Sequence, residues 1–303
     1  MSFKKSLIAV LLAGGFVFSS SAADEGKIIG KLDGQVLATG SGRVVLLNND
    51  GSELWTAKAG FCHDVWKLDN GNVLIADGAI REIDPKTNKV VFNYKSEMNK
   101  GGGTFACQRL ENGNTLAGEN STARVLELDK DAKIVFELKI EPSKQGEHHN
   151  LRMVRKLANG NYLVCLSGPK IVREYTPDGK IVFEVKVKNL AFSAVRLPNG
   201  NTMVGDISVV TEYDPSGKIV WELAASDLKG IKIGKICGVN VLPNGNMVLG
   251  IYGASQAEDG AALLEVTREK EVVWRYVKLP KGDRSMMSGQ KLDSSGKPIS
   301  NLR

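Results

Sequence analysis

Short apolar stretches and polar turns alternate along most of this chain, and one turn recurs at nearly regular intervals. The turn consists of a leucine, one variable residue and Asn-Gly-Asn, and its leucines are Leu68, Leu110, Leu157, Leu197 and Leu242. Successive copies are 42, 47, 40 and 45 residues apart, and Leu32-Asp33-Gly34 resembles a degenerate first copy. Asn-Gly between apolar segments predicts a β-hairpin, because both central residues of a type I′ turn need positive φ.

A second motif, an apolar pair followed by an aromatic residue, recurs in phase with the turn. Its copies are Leu54-Trp55, Val90–Phe92, Ile134–Phe136, Ile181–Phe183, Ile219–Trp221 and Val272–Trp274. Most copies follow another turn and a strand that carries a glutamate. Each repeat thus predicts four short strands, and such repeats of about 40–47 residues are typical of propeller blades. We predict an all-β fold, a β-propeller of six four-stranded blades.

The two ends of the chain contain further signals. Met286–Asp293 resembles the first strand of another repeat, and we expect this C-terminal strand to join the first blade and close the ring. A partial seventh blade is the alternative interpretation. Lys4 and Lys5, the apolar run Leu7–Phe18 and the small residues that follow it predict a signal peptide over residues 1–23. Residues 24–303 would then form a single β-propeller domain, periplasmic or secreted.

Composition restricts the possible partners. The 303 residues carry 40 lysines and arginines against 34 acids, and the basic residues are scattered without a nucleic-acid-binding motif. The apolar run near the N-terminus is too short for a comfortable transmembrane helix. We therefore expect no nucleic acid partner, no transmembrane segment in the mature chain, and a monomer. Either disulfides or free thiols remain open for the four cysteines, Cys62, Cys107, Cys165 and Cys237.

The alternation of L-x-N-G-N with D-x-x-G-K-I-V-[WF]-E resembles bacterial quinoprotein (PQQ-like) propeller repeats over roughly residues 26–292. It is most similar to the repeats of arylsulfotransferase-like proteins. Quinone-dependent dehydrogenases of this type are longer, and many carry adjacent cysteines that this chain lacks, so the cofactor is unknown. The resemblance to arylsulfotransferases implies sulfate transfer through a histidine, with His63-Asp64 and His148-His149-Asn150 corresponding to parts of that pattern.

All three histidines lie at or just before the start of a first strand, on the face that carries the variable loops. We predict an axial pocket there. His63 or His149 would act as nucleophile or general base, Asp64 or Glu147 would orient the imidazole, and Arg152 would hold an anion. His148 and Asn150 would contact the ligand. The alternative is that these polar residues only satisfy backbone groups at the mouth of the channel.

Three acids occupy equivalent positions, five residues after the last asparagine of a turn: Asp77, Glu119 and Asp206. They could bind a cation near the axis. The alternative is that each carboxylate caps the tight turn that follows its strand.

Two classes of function remain open on the sequence alone. The first is an exported scaffold that binds a small anionic ligand or another extracytoplasmic protein through its variable axial face. The alternative is an arylsulfotransferase-like transferase or hydrolase that acts on an anionic small molecule through an axial histidine. The sequence therefore leaves open whether the protein is an enzyme.

Overall fold

The computed structural model describes residues 26–303 except 99, 142, 143, 145, 255, 256 and 278–284. The predicted signal peptide, residues 1–23, lies outside the described residues. The described part contains 24 strands and one short 3₁₀ helix, Ala225–Asp227. In this part of the chain no helix is long and apolar enough to cross a membrane.

The strands follow one another with short connections. In chain order they are β1 (Lys27–Gly30), β2 (Gln35–Leu47), β3 (Glu53–Phe61), β4 (Asp64–Lys67), β5 (Val73–Ala76), β6 (Ala79–Asp84), β7 (Lys89–Lys95), β8 (Thr104–Arg109), β9 (Thr115–Glu119), β10 (Arg124–Leu128), β11 (Ile134–Lys139) and β12 (Leu151–Lys156). The second half comprises β13 (Tyr162–Leu166), β14 (Ile171–Tyr175), β15 (Ile181–Lys186), β16 (Ala191–Arg196), β17 (Thr202–Asp206), β18 (Val209–Tyr213), β19 (Ile219–Ala224), β20 (Lys235–Val241), β21 (Met247–Tyr252), β22 (Leu263–Val266), β23 (Val272–Val277) and β24 (Ser285–Leu292).

Four antiparallel sheets each contain four consecutive strands: β4–β7, β8–β11, β12–β15 and β16–β19. The remaining strands form one eight-stranded sheet in the order β1-β23-β22-β21-β24-β2-β3, with β20 also paired to β21. The all-β, propeller-like arrangement of four-stranded sheets is confirmed. Six separate sheets are not observed, because β24 pairs with both β2 and β21 and so joins the two ends of the chain.

Six strands form a closed inner ring around the axis. Going around it, β4 contacts β8, and the contacts continue through β12, β16, β20 and β24 back to β4. The C-terminal strand β24 pairs with β2 over Gln35–Gly40, which is the expected closure of the ring. The start of every inner strand therefore faces a common central channel.

Apolar side chains between neighbouring sheets form the core. One cluster joins Trp66 and Phe92 of the β4–β7 sheet to Leu126 and Leu128 of the next sheet. The second strands β5 and β9 are buried throughout, whereas the outer strand β11 shows only exposed and half-buried residues. Each blade therefore buries its apolar faces against its neighbours, as a stacked repeat requires.

The repeated glutamates link neighbouring sheets to each other and to the turns. Glu174 of β14 pairs with Arg196 of the next inner strand at 2.7 Å and accepts a hydrogen bond from Asn161 at 2.6 Å. Glu265 of β22 makes the equivalent contacts with Lys291 and Asn246, both at 2.7 Å. These contacts explain why the glutamate and the Asn-Gly-Asn turn recur in phase.

Replacing Gly200 with valine is expected to lower the free energy of unfolding by about 1–2 kcal/mol or more. Gly200 has φ of +88°, and an added Cβ would meet only the Pro215 side chain, at 3.6 Å. The loss would therefore come from backbone strain rather than from a clash. Urea unfolding of Gly200→Val and of Gly200→Asn, which tolerates positive φ better, tests this. Equal stability of the valine variant and the parent would contradict it.

Candidate functional site

The six inner strands share one feature at the start of each strand. In β8, β12, β16, β20 and β24, the pairing register shifts at one residue, which therefore has no partner on the neighbouring strand. This residue lies five positions before the leucine that marks the end of the strand. In the remaining case it immediately precedes β4. We call these residues the bulge ring: His63, Phe105, Arg152, Phe192, Cys237 and Met287. A β-bulge re-aims a side chain, and here the bulged residues Phe105 and Phe192 both contact the bulged Arg152.

Contacts between neighbouring inner strands show that four members of the bulge ring converge. The His63 and Phe105 rings lie 4.1 Å apart between centroids. The Arg152 guanidinium carbon lies 4.6 Å from the centre of the Phe105 ring and 4.4 Å from that of Phe192. Residues that are far apart in sequence thus meet on the axis, on the face with the variable loops.

A cavity of about 310 Å³ opens beside the bulge ring. Its wall contains all three histidines and Arg152, which the sequence analysis had assigned to one pocket. Aromatic and aliphatic side chains make up most of the remaining wall, and Lys235 lies on it as well. A volume of this size suits a small molecule.

Arg152 is the central charged group of this cavity. The residue is 3% exposed, and its guanidinium carbon lies over both the Phe105 and the Phe192 ring. Among the described residues no carboxylate lies within ion-pairing distance of Arg152, and its Nε has no hydrogen-bond partner. Burial lowers the pKa of Arg152 to about 10, so the guanidinium is still charged at neutral pH.

The histidines surround this guanidinium. Arg152 Nη1 lies 3.3 Å from Nδ1 of His63, and Nη2 lies 3.4 Å from Nε2 of His148 and from Nδ1 of His149. Burial and then the Arg152 charge hold the pKa of His63 well below its usual range, and the same two causes lower the pKa of the other two histidines. The imidazoles are therefore neutral near pH 7 and face a cation through nitrogens that can accept hydrogen bonds.

Protein stability is expected to fall as the pH drops below about 6.5. Because the folded state holds the pKa of His63 below that of the unfolded chain, the unfolded chain binds more protons in the window between the two values. Acidification through that window therefore favours unfolding. Urea unfolding at about pH 7.5 and 5.5 should show a smaller pH dependence for His63→Gln than for the parent. An unchanged dependence would contradict this assignment.

Two predicted site residues are engaged elsewhere. Asp64 is fully buried, and its carboxylate accepts hydrogen bonds from Arg155 at 2.8 and 3.1 Å and from the Cys107 N–H at 3.1 Å. The expected Asp64–His63 pair is not among the hydrogen bonds of the described residues. Asn150 donates to the main-chain oxygens of Lys144 and Asn120 at 2.7 and 3.0 Å, so it holds a loop in place.

The three acids proposed for a cation each have local partners. Asp77 pairs with Arg81, and Glu119 pairs with Arg124 at 2.6 Å. Asp206 accepts hydrogen bonds from the N–H groups of Ser208 and Val209 at 2.9 and 3.0 Å, which is the turn-capping alternative. In the described ranges no three His, Cys, Asp or Glu side chains come together in a way that could hold a metal ion.

The four cysteines are buried free thiols. Burial raises the pKa of Cys62, Cys107 and Cys165, and raises that of Cys237 to about 12. All four therefore carry a proton at neutral pH.

Sequence reasoning missed four members of the bulge ring, namely Phe105, Phe192, Cys237 and Met287. The signal that identifies them is positional. Each lies at the same distance from its strand-end leucine as His63 and Arg152 do. Counting back five residues from every such leucine predicts the complete ring.

Comparisons with known proteins agree with this architecture. A protein of unknown function from Bacteroides caccae is 22% identical, with a TM-score of 0.73 over 85% of this chain and 98% of that chain. A catalytically inactive virginiamycin B lyase from Staphylococcus aureus with quinupristin is 14% identical, with a TM-score of 0.56 over 85% and 90% of the two chains. The WD40 β-propeller domain of Doa1 is also 14% identical, with a TM-score of 0.57 over 93% and 91%.

No family model and no curated protein matches the chain. None of the structures just named supports the expected similarity to quinoprotein or arylsulfotransferase-like repeats, which stays a prediction. At these identities the similarity concerns the fold alone, and by its fold the chain is a β-propeller protein.

Proposed function

We propose that this protein is an exported β-propeller that binds a small anionic ligand in the cavity beside the bulge ring. The observation that carries the proposal is Arg152, a buried cation for which the described residues supply no carboxylate. A buried charge without a counter-charge costs several kcal/mol. An anionic ligand in the accessible cavity would supply the missing counter-charge and so offset this free-energy cost.

The surroundings of Arg152 favour an anion over a cation or a neutral ligand. Lys235 adds a second positive charge to the cavity wall. Each neutral imidazole has one N–H, which His63 and His149 can donate to an incoming anion, whereas His148 Nδ1 already lies 3.3 Å from the main-chain oxygen of Gly101. Glu147 influences His149 electrostatically, but it is exposed and absent from the cavity wall.

Anion binding is expected to depend on Arg152. A panel of acetate, benzoate, sulfate and phosphate, measured by thermal shift and calorimetry, should contain ligands whose affinity falls about tenfold to a hundredfold in Arg152→Met. Arg173→Met is the matched control, because Arg173 of β14 pairs with Glu184 outside the cavity. Unchanged anion binding in Arg152→Met would overturn the proposal.

A second candidate function is transfer or hydrolysis at an axial histidine. It is favoured by three neutral imidazoles beside a cationic guanidinium, since a neutral imidazole can act as nucleophile or general base while the cation holds the anion. The arylsulfotransferase-like resemblance of the repeats points the same way.

Turnover of an aryl sulfate donor with a phenol acceptor tests this second candidate. Turnover should be lost in His63→Ala or His149→Ala while the thermal midpoint stays within a few degrees. A large loss of stability with unchanged turnover would assign the histidines to structure. No turnover by the parent protein would leave ligand binding as the function.

We further infer that the eight-stranded sheet comprises two blades, for six in all. Six inner strands form the ring, and each has one bulge-ring residue at the same offset, within the strand or, for His63, immediately before it. Within β2, residues up to Gly40 pair with β24 and residues from Ser41 pair with β3, and Gly42, with φ of +89°, lies next to this boundary. Export to the periplasm or the exterior, and a monomeric state, are proposed from the sequence alone.

A further inference from the structure

The wall of the cavity combines apolar side chains with one buried charged group among the described residues. Phe61, Phe192 and Met287 line it together with Leu190 and Ile207, while Arg152 is its only buried charged group among the described residues. Lys235 also belongs to the wall, but it is exposed. A pocket of this kind orients its ligand with one polar contact and gains affinity from apolar contact elsewhere.

The aromatic rings restrict how a ligand can reach Arg152. The guanidinium carbon lies 4.6 Å from the centre of the Phe105 ring and 4.4 Å from that of Phe192, so the two rings cover part of the guanidinium surface. Binding along the edge, in the guanidinium plane, is the geometry of a bidentate carboxylate. The contacts from its Nη atoms to imidazole nitrogens are 3.3–3.4 Å, longer than the roughly 2.7–2.9 Å of charge-assisted bonds. These N–H groups therefore retain capacity for a stronger acceptor.

Arg152 favours an anion with a single negative charge, because it is the one buried cation of the wall among the described residues, whereas Lys235 is exposed to solvent. Arg152 can neutralise one charge, and neutral His63 can donate a hydrogen bond but adds no charge. A phosphate monoester, which is mostly a dianion above pH 7, would bring a second negative charge into a largely apolar space. That charge would lack a buried partner.

We propose that the ligand is a hydrophobic monocarboxylic acid, with its carboxylate at the edge of Arg152 and its apolar body against Phe61 and Phe192. This inference rests on the proposed function and specifies the class of its ligand. The cavity of about 310 Å³ is at the small end for ligand pockets, so the acid is a small one.

Calorimetry at about pH 8 with four probes tests the ligand class. The probes are 3-phenylpropionate, acetate without the apolar body, 3-phenylpropan-1-ol without the charge, and phenyl phosphate as a dianion. We expect 3-phenylpropionate to bind at least about tenfold more tightly than each of the others, since each buried methylene adds about 0.8 kcal/mol. Equal affinity for acetate, or tighter binding of phenyl phosphate, would overturn the inference.

Variants separate this inference from the proposed function. In Phe61→Ser the preference for 3-phenylpropionate over acetate should shrink at least threefold, whereas Leu54→Ser, an exposed apolar residue away from the cavity, should keep it. An unchanged preference in Phe61→Ser would overturn the placement of the apolar body. Arg152-dependent binding of acetate or sulfate without any such preference would overturn the ligand class and leave the proposed function intact. Absence of Arg152-dependent binding of any probe would overturn both.

Discussion

Replacing Asp64 with asparagine is expected to lower the free energy of unfolding by about 3–5 kcal/mol. The substitution keeps the shape of the side chain and removes its charge. Asp64 is fully buried and pairs with Arg155 at 2.8 Å, while Arg303 approaches its other oxygen at 3.5 Å. Without the carboxylate, two buried guanidinium groups would lose their shared counter-charge. Urea unfolding followed by tryptophan fluorescence measures the effect.

The control for this change is Asp178→Asn, at an exposed aspartate in a turn, which should alter stability by less than about 1 kcal/mol. The double variant Asp64→Asn with Arg155→Met should recover part of the loss, because it removes one of the unpaired cations along with the carboxylate. A loss below about 1 kcal/mol in Asp64→Asn would show that this buried cluster does not depend on the Asp64 charge.

Two arginines of β12 are expected to respond in opposite directions to replacement by methionine. Arg152→Met should leave stability unchanged or raise it by about 1 kcal/mol or more, since it removes a buried cation that no described carboxylate balances. Arg155→Met should lower stability by about 3–5 kcal/mol, because it leaves Asp64 buried without its main partner. Residues retained for ligand binding often reduce stability in this way.

Thermal and urea unfolding of both variants under identical conditions measures the contrast. The strand, the residue type and the burial are matched, so the difference reports the presence or absence of a carboxylate partner. Equal destabilisation by the two substitutions would assign Arg152 a structural role and remove the main support for a ligand site.

The repeating turns made the fold predictable. The prediction of type I′ turns was wrong, because only the glycine of each Asn-Gly turn, and not the asparagine before it, has positive φ. The recurrence of the turn in phase with an aromatic strand nevertheless predicts four-stranded blades in a ring. The joined eight-stranded sheet was not predictable, because it depends on β24 pairing with β21 through Ile251 and Met286 as well as with β2. That contact arises only once the ring has closed.

The site was predictable in part. The β-bulge explains why some of the predicted residues reach the cavity and others do not. Asp64 lies four residues before the leucine at the end of its strand, and Arg155 lies two residues before its own. Because side chains alternate along a strand, both residues point to the same side of their strands, and they meet in the channel. The residue five positions before each leucine would normally point the other way, but in β12 the bulge at Arg152 turns that residue to the axis. His63 and Arg152 thus reach the cavity, while Asp64 serves a separate buried cluster.

The local partners of the acids could not be read from spacing either. Asp77, Glu119 and Asp206 share an offset, yet each finds partners that only its own turn or blade supplies, such as Arg124 for Glu119. An equal offset shows that residues occupy equivalent positions in the blades. It indicates a common site only when the side chains point to the axis, as they do in the bulge ring.

A crystal soaked with 4-iodobenzoate tests the central claim most directly, because the anomalous signal of iodine locates the ligand without ambiguity. An anionic site at the bulge ring predicts the carboxylate within about 3 Å of the Arg152 guanidinium and the iodine inside the cavity lined by Phe61 and Phe192. The same soak of Arg152→Met should show no iodine there. An iodine peak away from the ring, or equal occupancy in the variant, would contradict the account.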